Sequence, residues 1–200
     1  MTDLDLLIHR RFRIRADDIS PCRAMNRACR EVLAALFAEA GFVSGVEVGV
    51  ASGDYSVVLC QAIPGVRLLC VDRWAAYQSG SLDKLDTASA VAQRQEAQRR
   101  LAPYTVVFQT TTSAQAVLTV PMRSLDFAVL DGDHEFDGVM SDLVAWSRRV
   151  RVGGIIAVHD YDVAYRVGVI EAVNAYTRAH AIGRWYLTRD RVPYAFWVNP

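Results

Sequence analysis

The chain has no net charge. Its 22 lysines and arginines balance 22 aspartates and glutamates over 200 residues. That balance disfavours a polyanionic partner such as DNA or RNA, which draws binding energy from an excess of cations. The basic clusters Arg10, Arg11, Arg13, Arg15 and Arg23, Arg27, Arg30 read as solvated helix and loop faces. Long apolar runs are missing too. No stretch nears the roughly 20 residues of a membrane span. The start, MTDLDLLIHRRFRIR, has too short an apolar run for a signal peptide, and its basic residues follow that run instead of preceding it. Cysteine is scarce: Cys22, Cys29, Cys60 and Cys70 form no CxxC pair. This excludes a zinc knuckle or disulfide framework and fits free thiols in a reducing cytoplasm. No internal repeat, low-complexity tract or interdomain linker interrupts the chain.

What is present is 52% hydrophobic residues, enough for one domain with a full core. Ser20-Pro21 reads as a helix start, with the helix running to about Ala40 and stopping at Gly41. Apolar, β-branched segments at Val46–Val50, Val66–Val71, Tyr104–Gln109, Leu125–Leu130 and Ile155–Val158 read as strands. Helices are expected over Asp54–Ala62, 87–101, Glu135–Val150 and 167–180, with a loop at 73–86 that would serve as a lid. The stripe Phe136, Val139, Met140, Leu143, Val144 has helical spacing. Trp185–Thr188 and Val192–Val198, joined at Arg189-Asp190-Arg191, read as a hairpin. Alternating strands and helices imply an α/β fold, a parallel sheet covered on both faces, with an antiparallel element at one edge.

Three places carry chemistry. The first is VEVGVASGDYS, residues 46–56, where a glycine loop follows a strand. Its Gly49-x-x-x-Gly53 spacing is not the GxGxxG of dinucleotide binders, which counts against a nicotinamide-dependent oxidoreductase. The second is Asp72, about twenty residues on, at the end of the next strand, where an acid can accept from two ribose hydroxyls. The third is LDFAVLDGDHE, residues 125–135: three acids and a histidine directly after a buried strand. Packed like charges need solvent, a cation or a substrate to compensate them.

Glu47-x-Gly49, Gly53 and Asp72, with LDFAVLDGDHEFDGVMSDLVAW, VRVGGIIAVHDYD and GVIEAV, resemble class I S-adenosylmethionine-dependent methyltransferases of the bacterial small-molecule type. The resemblance covers roughly residues 43–175. It implies a Rossmann-like doubly wound sheet of seven strands, order 3-2-1-4-5-7-6 with strand 7 antiparallel. Residues 1–40 would be a helical cap, and 183–200 the C-terminal hairpin. It implies O-methylation of a small-molecule hydroxyl: a sugar, a phenol or a natural-product intermediate. Glu47, Gly49 and Gly53 would line the methionine end of the cofactor, Asp72 the ribose, and Thr112, Ser113 and Trp74 the adenine side, with Asp131 at the reacting end. In catechol-type and macrolide-sugar O-methyltransferases metal ligands stand at these strand ends. The matching set here is Asp131, His159 and Asp160, for Mg²⁺ or Mn²⁺, and a histidine among them suits Mn²⁺ better. His134 and His159 are both candidates for the general base that deprotonates the acceptor. The competing readings are a non-catalytic cofactor-binding protein and the oxidoreductase. An N-terminal helix outside the core would also suit a homodimer contact.

Overall fold

The computed structural model describes residues 3–15, 17–24, 29–79, 83–161 and 167–200. The strands are β1 (Cys22–Arg23), β2 (Ser44–Val48), β3 (Arg67–Asp72), β4 (Tyr77–Ser79), β5 (Asp83–Leu85), β6 (Val106–Thr110), β7 (Leu125–Leu130), β8 (Val150–Val158), β9 (Tyr186–Leu187) and β10 (Ala195–Val198). The helices are α1 (Asp3–Phe12), α2 (Arg30–Glu39), α3 (Asp54–Ala62), α4 (Thr87–Leu101), α5 (Ser113–Ala116), α6 (Phe136–Trp146) and α7 (Val167–Ala179).

The main sheet runs β6-β3-β2-β7-β8-β10-β9-β1. Its first seven strands keep the expected order, and β10 is antiparallel to both neighbours. The sheet has eight strands, not seven, because β1 adds in parallel to β9. This overturns the helix expected from Ser20-Pro21. The Ser20 hydroxyl accepts from the Trp185 amide at 3.0 Å and donates to the Gly183 carbonyl at 3.1 Å. Cys22 N–H donates to Trp185 and Ala24 N–H to Leu187. A serine that can cap a helix can equally bond a distant backbone, and here β9 supplies that partner. The helix begins only at Arg30, so among the described residues the N-terminal segment holds two helices and a strand rather than a plain helical cap.

Both sheet faces are covered, as strand alternation requires. Phe127, Val129, Ile155 and Ala157 face one core, under α1, α2, α3 and α4. Ala128, Leu130, Ile156 and Val158 face the other, under α5, α6 and α7. Within the stripe expected on α6, Val139 and Leu143 are buried, while Phe136 and Val144 stay substantially exposed. That helix stops at Trp146, short of Val150, which opens β8. Asn199 makes the early stop affordable: its amide donates to the carbonyls of Ser147 and Val150. The expected loop at 73–86 contains the β4–β5 hairpin. All four cysteines are free, and burial pushes the thiols of Cys22, Cys60 and Cys70 up, leaving them poor nucleophiles. Among the described residues no helix is long and apolar enough to cross a membrane.

Candidate active site

Five parallel strands end on one side of the sheet, and the order β6, β3, β2, β7, β8 sets what lies beside what. A cavity of about 520 Å³ follows those ends. Thr111, Thr112 and Ser113 line it after β6, Asp72 at the end of β3, Gly49 after β2, Asp131 to His134 after β7, and His159 and Asp160 after β8. Tyr77 and Leu85 of the β4–β5 hairpin close one wall, which gives the expected lid segment a place in the cavity. Neighbouring strands lie about 4.8 Å apart, so these ends form one continuous polar trough.

At the β2 end the backbone turns through Gly49, whose φ is 86°. A Cβ there would overlap the backbone carbonyl of Asp131. Only glycine suits both the left-handed conformation and that approach. Gly53, at φ 78°, precedes α3, packs toward Ala97 and is not a cavity residue. Glu47 also lies away from the cavity wall: it is buried beneath the loop, where the Ser56 hydroxyl donates to it. Burial pushes its carboxyl up to about 8, against the Ser56 hydrogen bond and with help from the charges of Asp131 and Asp72.

The folded protein therefore holds a proton on Glu47 that the unfolded chain releases above about 4.5. The stability from this group is fully present below that pH and is lost as pH rises through about 8. Urea unfolding across this window should show a declining midpoint, and Glu47→Gln should flatten the decline by an amount on the order of a few kcal/mol. Equal slopes in parent and variant would show that the carboxyl is ionised in the fold.

Asp72 is held by backbone. Ala51 N–H donates to one carboxylate oxygen at 2.9 Å and Trp74 N–H to the other at 2.8 Å. The carboxylate is thereby fixed at the cavity with acceptor capacity left over. Trp74 does not line the cavity. It is buried, packs on Phe108 at 5.8 Å, and donates its indole N–H to the Ala51 carbonyl. It braces the glycine loop from behind.

At the β7 and β8 ends the two acids and two histidines interlock. His134 Nε2 lies 2.7 Å from Asp160 Oδ2. His159 Nδ1 lies 3.2 Å from Asp131 Oδ1 and 3.6 Å from Asp160 Oδ1. Burial pushes the Asp131 carboxyl up, opposed by the hydrogen bond and charge of His159. Burial alone would lower His159, but the Asp131 hydrogen bond and the charges of Asp131 and Asp160 outweigh it, so its imidazole is pushed up. Ligand atoms of Asp131, His134 and Asp160 lie within 4.8 Å of one another, a group able to hold a metal ion. The geometry thus draws His134 in with the two acids, whereas the sequence pairs them with His159.

Sequence reasoning missed Asp142. It lines the cavity with Gly138 and Ser141. The three recur at i, i+3, i+4, a polar stripe on the helix face beside the apolar one, and that spacing was the available signal. Burial pushes the Asp142 carboxyl up to about 6, against a hydrogen bond from Ser113.

Solved structures share this fold. The O-methyltransferase NovP superposes with a TM-score of 0.64 at 20% identity, over 85% of this chain and 79% of its own. An O-methyltransferase from Bacillus cereus in complex with SAH gives 0.61 at 14% identity, over 98% and 90%. The O-methyltransferase TomG from Streptomyces achromogenes, involved in tomaymycin synthesis and solved in complex with SAM, gives 0.61 at 16%, over 100% and 91%. No curated protein sequence matches the chain. At these identities the likeness establishes the fold. A sequence family described as Methyltransferase domain matches residues 46–161, more than half of the chain, and spans the glycine loop, Asp72, the acidic cluster and His159-Asp160. This chain belongs to that methyltransferase family.

Proposed function

We propose that the protein transfers a methyl group from S-adenosylmethionine to a hydroxyl of a small molecule. One observation carries the reading: a single cavity joins the held carboxylate of Asp72 to the Asp131, His134, His159, Asp160 cluster. The residues fit the cofactor. Its volume lies within the roughly 300–1,000 Å³ typical of small-ligand sites. Asp72 offers acceptors to ribose hydroxyls, and the Gly49 backbone lines the same cavity. The small acceptor is supported by the zero net charge and by the O-methyltransferases NovP and TomG, which share the fold.

When bound, S-adenosylmethionine supplies a methyl group activated by its sulfonium sulfur. The chain's own residues manage the proton and the charge. Asp160 orients the His134 imidazole, which takes the proton of the acceptor hydroxyl. His159 lies between Asp131 and Asp160 and, when protonated, offsets their repulsion. A second reading rests on the mutual reach of Asp131, His134 and Asp160. These three residues would hold a divalent cation, and the chemistry it would supply is a lower pKa for the acceptor hydroxyl in place of the base. One nitrogen and two carboxylates suit Mn²⁺ better than Mg²⁺, and His159 stands next to this set.

Calorimetric titration with S-adenosylhomocysteine tests the cofactor. Micromolar binding is expected, and Asp72→Ala should weaken it roughly 10- to 100-fold, the effect of losing hydrogen bonds to a charged acceptor. No binding by the folded parent would sink the proposal. Turnover that survives EDTA supports His134 as the base. Turnover that EDTA abolishes and Mn²⁺ restores supports the cation.

A further inference from the structure

We propose that Tyr194 is a positioning residue for the acid–histidine cluster: its ring, carried by the C-terminal hairpin, fixes the plane of the His159 imidazole. The inference rests on the methyl-transfer reading and adds a residue from outside the 46–161 segment that the family covers. Asp131 meets His159 at one nitrogen only, 3.2 Å from Nδ1. A single contact at one edge leaves an imidazole free to tip about it. The face is what Tyr194 covers, with ring centroids 4.4 Å apart and planes at 43°. Edge and face together leave His159 one orientation, in which Nδ1 meets Asp131 and stands 3.6 Å from Asp160.

Tyr194 is itself held on several sides. Its side chain is buried and packs on Tyr55 at 5.3 Å, whose hydroxyl donates to the Arg30 carbonyl at 3.3 Å. Its N–H donates to Thr188 Oγ1 at 2.8 Å, and its carbonyl accepts from Thr188 N–H at 3.0 Å. The Thr188 hydroxyl passes its own proton to Asp190 at 3.0 Å, and the neighbouring Pro193 carbonyl accepts from Tyr161 N–H, just past β8. A ring locked in this way can lock the ring it covers. The Tyr194 phenol takes part in no hydrogen bond with the described residues, so the fold uses the ring and not the hydroxyl. The placement matters because His159 sits between Asp131 and Asp160, and Asp160 orients His134. Mere packing would accept any apolar side chain here, whereas fixing a plane needs a planar partner.

The test compares the full chain with Tyr194→Phe and Tyr194→Leu. NMR reads the proton bridging His159 Nδ1 and Asp131, identified among the four histidines by its loss in His159→Gln. The parent and Tyr194→Phe should show it, and in Tyr194→Leu its exchange with solvent should be at least about tenfold faster. With phenol as probe acceptor, S-adenosylhomocysteine production should fall about 10- to 100-fold in Tyr194→Leu at unchanged acceptor KM. It should stay within about twofold of the parent in Tyr194→Phe. S-adenosylhomocysteine should bind all three within a few fold. A parent without the bridging proton would overturn the proposal. So would a folded Tyr194→Leu protein that keeps the proton or the parental kcat, or a Tyr194→Phe protein that loses either. If Tyr194→Leu does not fold, the parent and Tyr194→Phe decide, and if phenol is not methylated, the bridging proton decides. A parent that binds no S-adenosylhomocysteine sinks the methyl-transfer reading, and the NMR result then stands apart as a statement about His159 alone.

Discussion

Asp131→Asn should lower kcat by roughly 100- to 10,000-fold while S-adenosylhomocysteine binds within a few fold of the parent. The substitution is isosteric, and the backbone that places the residue is untouched: Asp131 N–H donates to the Val48 carbonyl at 2.8 Å, and His159 N–H donates to the Leu130 carbonyl. What is lost is charge. Asp131 is the main partner of His159 Nδ1, and its hydrogen bond and charge hold that imidazole above its ordinary pKa. Without it His159 should titrate lower, a shift that NMR would read directly. An asparagine also binds a cation more weakly than a carboxylate, so the cation reading expects the same loss of turnover. His134→Ala should match it in size, because it removes the group that Asp160 orients. Near-parental kcat in the Asp131 variant would remove that carboxylate from the chemistry. Loss of cofactor binding in a folded protein would move it to the cofactor's own contacts.

Gly49→Ala should damage both the fold and the binding site. At φ 86° an alanine is strained, at a cost of about 1–3 kcal/mol. The larger penalty is steric. The new methyl would overlap the Asp131 carbonyl, which belongs to backbone and cannot rotate away. The loop after β2 and the segment after β7 must then separate. Gly49 N–H, which bonds the Val71 carbonyl at 2.9 Å, and Asp131 N–H on Val48 lie on either side of that overlap. A total loss of about 3–5 kcal/mol is expected in urea unfolding, at the severe end for a single substitution. In whatever fraction stays folded, S-adenosylhomocysteine affinity should fall at least about 100-fold, since the shift moves the cavity floor between Asp72 and Asp131. A variant of normal stability and affinity would show that the two segments can part freely, contrary to the packing described above.

Much of this molecule could be read from local pattern. Helices α3 and α4 and strand β7 lie where periodicity and composition place them: each helix turns one face to the sheet, and β7, covered on both faces, is an apolar run. Gly49, Asp72, Thr112, Ser113, Asp131, His134, His159 and Asp160 all reach one cavity. A parallel sheet forces that outcome once the strand order is known, since each residue sits at or just after a strand's carboxyl end. Local pattern says least where a residue's contacts come from the folded chain around it. Ser20 looks like a cap, but its hydroxyl bonds the chain at Gly183 and Trp185. Trp74 packs on Phe108, and Glu47 is enclosed by burial and by Ser56.

Local pattern specified most element types from Val46 onward, the strand-end positions of the polar residues and the family. Which of those residues meet was set by strand pairing and helix docking. His134 joins Asp160 while His159 joins Asp131, and Asp142 reaches the cavity from α6, an element unrelated to the loop it assists. The physical reason is range: periodicity and turn chemistry act over a few residues, whereas a hydrogen bond between groups 26 to 29 positions apart exists only after the strands have paired and the helices have docked on them.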